Sequence, residues 1–126
     1  MKTLLNLSLV LSLSLVAVHE MDAMTHAEWR LLPILSGFPD ETARTAFLWL
    51  HIPLYVGLFW ALFHASWRHI AGLVFSGAVI LHAIVHFLLS DHTLYSFTPP
   101  IETVTVYGAT ISGLIYIALS IKGTPE

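Results

Sequence analysis

Four long apolar stretches, at residues 3–24, 46–67, 70–90 and 103–121, constrain this chain more than anything else in it. Crossing about 30 Å of hydrocarbon at 1.5 Å rise per residue takes roughly 20 helical residues, and each stretch approaches that length. A backbone in lipid has to satisfy its own hydrogen bonds, so runs of this kind become helices. The expected fold is all-α: a single integral-membrane domain over 1–126, arranged as an up-down-up-down four-helix transmembrane bundle in the lipid bilayer. Nothing remains for a separate catalytic domain in water, so any chemistry has to lie within the spans or at their ends.

The connections carry turn chemistry. LLPILSGFPDETAR holds Pro33, Gly37 and Pro39, then Asp40 and Glu41 as a helix start. A short link around Ser66 to His69 makes spans two and three a tight antiparallel hairpin, and SDHTLYSFTPPIE leads through Pro99 and Pro100 into the last span. With the N-terminus inside, Lys2, Arg68 and Lys122 are cytoplasmic and Arg30 and Arg44 external, which favours cytoplasmic termini. The opening MKTLLNLSLVLSLSLVA also has the form of a cleaved secretory signal over residues 1–17. Leu15 occupies a position where a small residue is wanted and the helical pattern continues to Trp29, so the stretch is read as a span.

Composition narrows the chemistry. A net charge of −3 without a basic cluster argues against nucleic acid as a partner, and the absence of cysteine removes disulfides, thiolate metal sites and thiol catalysis. The excess is in histidine, eight against five Lys plus Arg. Metal chemistry here would use imidazole and carboxylate, which suit a divalent metal such as zinc or iron.

Alternating span directions bring these groups together. His19, Glu20 and Asp22 end span one, His51 begins span two, and His82 and His86 lie in the later half of span three, all on one side of the midplane. Asp91, His92 and Glu102 flank the last loop on that side, whereas His64 and His69 mark the other. His82 and His86, four apart, project from one helix face, and His19 and Asp22, three apart, share another. Glu20 points about 100° away from His19. His26 returns to the face of His19 about 10 Å further out, at the mouth. Pro53, two residues after His51, frees a carbonyl close by. Ionisable groups in hydrocarbon cost several kcal/mol each unless they pair or bind a cation. The expected metal ligands are therefore His19, Asp22, His51, His82 and His86, with Glu20 or Asp22 as the catalytic proton carrier.

HEMDA at 19–23, EWR at 28–30, His51 and HAIVH at 82–86 resemble the HXXEE-type family of small four-helix membrane proteins. The resemblance implies a metal-dependent membrane enzyme without a settled reaction. Asp22 stands at the first acidic position of that pattern and Ala23 at the second, so the second carboxylate would come from Glu20 or Glu28.

The leading function is a membrane metalloenzyme acting on a lipid or other apolar substrate. The alternatives are a redox or anchor subunit holding haem between two histidines, metal-free acid/base or proton transfer, and a helix-assembly protein. Gly57 and Ala61, Gly72 and Ser76, and Ala109 and Gly113 are spaced for close helix packing or homo-oligomer contacts. Trp29, Trp49, Trp67 and Tyr95 fit an interfacial aromatic belt, and His64, His69 and His92 a solvated interface.

Overall fold

The computed structural model describes residues 2–122. It is all-helical, with four helices long and apolar enough to cross a membrane. These are α1 (Lys2–Thr25), α2 (Asp40–Phe63), α3 (Arg68–Leu89) and α4 (Gly108–Lys122), the last extended by a π-helical turn at Thr103–Tyr107. Two 3-10 turns, Glu28–Arg30 and Leu35–Gly37, fold up the first connection. Compared with the sequence reading, α2 begins six residues earlier, directly after Pro39, because Asp40 and Glu41 supply the negative first turn that a helix N-terminus favours. Pro53 is accommodated inside this helix without ending it.

Packing is uneven. Helices α1, α3 and α4 form a close trio. Gly72 faces the buried Tyr116, where an added Cβ would lie 2.6 Å from Cζ, and a Cβ on Gly113 would meet the Cβ of Ser76 at 3.4 Å. Ser12, fully buried, donates from Oγ to the Ala109 carbonyl at 2.9 Å, tying α1 to α4. The small residues of α3 and α4 thus serve close approach. Gly57 does not: nothing lies within 4 Å of where its Cβ would be. Helix α2 leans on α3 and on the 3-10 turns rather than on α1, and this leaves space between α1 and α2.

Two apolar clusters result. Phe75, Val79 and Ala109 fill the middle of the trio with Leu9, Leu13 and Leu58 around them. Ala23, Trp29, Leu35, Ala43, Phe47 and Phe97 cap the end where the histidines gather. Trp29 belongs to this cap, only 4% exposed, with its indole N–H donating to Asp40 at 2.9 Å. It is a buried anchor and not a member of an interfacial belt.

Candidate metal centre

Chain reversal after α1 builds the site. Helix α1 stops at Thr25, and Ala27 adopts a left-handed conformation with φ 53°, which non-glycine residues enter at a cost of order 1 kcal/mol. That single residue swings Glu28 back over the end of α1. Asp40 then fastens the turn, accepting from Trp29 and, in bidentate fashion at 2.7 and 2.9 Å, from Arg30. The Arg30 pair is half exposed and adds little stability; its consequence is positional.

Four side chains converge beneath this turn: His19 from α1, Glu28 from the turn, and His82 and His86 from α3. One potential ligand atom from each lies within 4.8 Å of all the others. His19 Nε2 and His82 Nε2 are 2.9 Å apart, Glu28 Oε2 is 3.5 Å from His19 Nε2, and Glu28 Oε1 is 3.9 Å from His86 Nε2. His19, Glu28 and His86 are buried, while His82 is only partly so. Donors around a tetrahedral ion with bonds of about 2.0–2.1 Å stand roughly 3.3 Å apart, so small movements would bring these atoms into ligating positions. Glu28 Oε2 is buried without a hydrogen-bond partner, an arrangement that costs free energy unless something else satisfies it. Burial alone would raise the Glu28 carboxyl, but the close approach of His19 and His86 and the neighbouring imidazole charge outweigh it and hold the group well below the usual carboxylate range. The carboxylate is thereby kept anionic, as a metal ligand must be.

His86 is oriented from behind. Its Nδ1 lies 3.2 Å from Glu102 Oε1 and 2.8 Å from the Tyr95 hydroxyl, which itself donates to Glu102. A carboxylate only accepts, so Nδ1 carries the hydrogen and Nε2 turns its lone pair toward the cluster, the relay found behind metal-binding histidines. Phe97 closes the outer side, with its ring centroid 5.5 Å from that of His19 and 4.9 Å from that of His86.

The remaining residues expected from sequence form separate pairs. Asp22 Oδ1 lies 3.2 Å from His26 Nδ1, which also sits 3.0 Å from the Asp22 carbonyl. His51 Nε2 is 2.9 Å from Glu20 Oε2, and His51 Nδ1 is 2.6 Å from the Phe47 carbonyl. His19, His82 and His86 are thus in the cluster, His51, Glu20 and Asp22 lie outside it, and Glu28 supplies its carboxylate. Sequence reasoning marked Glu28 only as a substitute acid and gave Tyr95 and Glu102 no role behind a ligand. The signals available were the acid in the EWR segment and the placement of Glu102 on the histidine side.

Comparison with curated proteins and with solved structures gives no match. The sequence pattern of the family of unknown function DUF6713 matches residues 5–123, nearly the whole chain, and the protein belongs to that family.

Proposed function

We propose that this protein is an integral membrane metalloprotein and, more specifically, a metal-dependent enzyme working on an apolar substrate. The convergence of three imidazoles and one carboxylate at a buried point, with Glu102 and Tyr95 fixing the tautomer of His86, carries the reading. This donor set suits zinc or iron. When bound, zinc would supply Lewis-acid chemistry for hydrolysis and iron would supply oxygen chemistry. The chain's own residues add a proton-holding pair, Glu20 with His51, outside the cluster. The HEMDA segment, with its likeness to the HXXEE-type pattern, points to the same class. Haem fits the geometry less well: a porphyrin between any two of these imidazoles would occupy the place of the other donors.

Elemental analysis of detergent-purified protein, prepared without metal-affinity chromatography, tests the reading. About one zinc or iron per chain is expected, and its loss in the His82→Ala/His86→Ala double variant with helical content retained. A metal-free, correctly folded wild type, or a double variant with full occupancy, contradicts it.

Glu102→Gln keeps shape but removes the charge behind His86. A fall in metal affinity of about 10–100-fold is expected, measured by competition with a chelator. An unchanged affinity would leave Glu102 without its orienting role.

A further inference from the structure

The histidines of the cluster differ in what stands behind them. His86 has Glu102 and Tyr95 at its Nδ1. His19 turns Nε2 to the cluster, 2.9 Å from His82 Nε2, but its own Nδ1 is buried with no hydrogen-bond partner among the described residues. The residue is 1% exposed, so outside water does not serve that nitrogen. A buried polar atom left in this way costs free energy.

Asp22 carries a matching defect. It lies three residues beyond His19 on α1, so it shares that face, and helical side chains lean back over the preceding turn. One oxygen is taken: His26 Nδ1 is 3.2 Å from Asp22 Oδ1 and 3.0 Å from the Asp22 carbonyl. Both of these only accept, so His26 Nδ1 carries a hydrogen and donates it. The other oxygen, Asp22 Oδ2, is buried without a partner among the described residues. Besides Glu28 Oε2, which the ion would satisfy, the remaining atoms of this kind are the hydroxyls of Ser76 and Ser120 on α3 and α4. At the cluster end an unpartnered imidazole nitrogen and an unpartnered carboxylate oxygen thus stand on one helix face.

The surroundings favour their pairing. Phe97 stacks on both His19 and His26, with ring centroids 5.5 and 4.9 Å away and interplanar angles of 26° and 29°, and its side chain gives neither imidazole an acceptor. The contact between His19 Nε2 and His82 Nε2 also needs an owner for its hydrogen, since two neutral rings at 2.9 Å hold one between them. A carboxylate at His19 Nδ1 decides this: Nδ1 keeps the hydrogen of His19, Nε2 presents its lone pair, and His82 donates. His19 then stands in the ligating tautomer before an ion arrives.

We infer that Asp22 is a positioning residue behind His19: its Oδ2 accepts the hydrogen on His19 Nδ1, directly or through one bridging water, and so aims Nε2 at the ion. The inference rests on the proposed metal centre for the use made of Nε2, whereas the pairing itself belongs to the protein with or without an ion. Two of the three histidines, His19 and His86, are then each backed by a carboxylate. Asp22, expected from sequence as a ligand, acts through one.

The test is nitrogen–proton NMR of the histidine rings in full-length protein labelled with 15N-histidine, in detergent, first stripped with chelator and then loaded with zinc. Loss of a signal in His19→Gln assigns His19. In both forms its Nδ1 should carry a hydrogen shifted downfield by the carboxylate. Asp22→Leu should abolish that shift and leave the His86 signals in place, and zinc affinity, by chelator competition, should fall about 10–100-fold. Asp22→Asn, closest in shape, keeps a neutral acceptor: the hydrogen should move upfield and affinity fall about tenfold, the low end of that range, with one ion per chain still bound at saturation. His26→Ala should keep the His19 signal. A His19 Nδ1 without hydrogen, a His19 signal that neither Asp22 variant alters, or a His26→Ala variant that reproduces Asp22→Leu overturns the pairing. Zinc bound equally well by Asp22→Leu would overturn it and leave the metal centre standing. An Asp22-dependent His19 signal in a protein that takes up no zinc would support the pairing and remove the metal reading.

Discussion

Glu28→Gln is expected to weaken metal binding by more than about 100-fold, beyond the 10–100-fold typical of losing a partner behind a ligand. Glu28 is the one carboxylate in the four-residue cluster, and it reaches His19 and His86 with its two oxygens. The amide keeps the shape but removes the negative charge that helps to hold a divalent cation. Asp22→Asn and Glu20→Gln should retain the full complement, because Asp22 is engaged with His26 and Glu20 with His51. Ala27→Val provides a distant version of the same test. A β-branched residue at φ 53° is a backbone outlier, so the turn should open and carry Glu28 away, whereas Ala27→Gly should keep the metal. Metal content and chelator competition across these variants check the assignment; loss in Asp22→Asn with retention in Glu28→Gln would reverse it.

Gly72→Leu should destabilise the helix trio by about 1–3 kcal/mol or more, the usual cost of overpacking. The new Cβ would lie 2.6 Å from the Tyr116 Cζ, and Tyr116 is itself only 3% exposed, so its ring has little room to retreat. Gly57→Leu, by contrast, enters open space and replaces a poor helix former, and should be neutral or slightly stabilising. Thermal unfolding in detergent separates the two. Equal losses would mean that α3 and α4 do not pack as described.

These two positions show what the sequence could and could not convey. The four spans were legible because length and hydropathy alone determine them, and the His82/His86 pair because helical periodicity places both on one face. The alternation of spans brought His19 to the same end. Spacing treated Gly57 and Gly72 alike, although one faces a groove and the other a tyrosine, because a small residue reports room without saying what uses it. The carboxylate was harder still. Reading α1 as helical through Trp29 favours Asp22, on the face of His19, over Glu28; one left-handed residue at Ala27, beyond the end of α1, brings Glu28 back to the cluster instead. Nothing local to Ala27 signals that conformation, since glycine or asparagine is its usual mark. His51 pairs with Glu20 across the α1–α2 gap instead of joining the cluster, a tertiary fact invisible to helical phase. Tyr95 and Glu102 reach His86 only through the path of the last loop.

The central claim is that His19, His82, His86 and Glu28 hold one ion. X-ray absorption spectroscopy at the edge of the bound metal addresses it most directly. The account predicts imidazole scattering from three histidines, with nitrogen and oxygen at about 2.0–2.2 Å for zinc, and loss of one imidazole's contribution in His86→Ala. A spectrum with a single imidazole or none, or one that His86→Ala leaves unchanged, would contradict it.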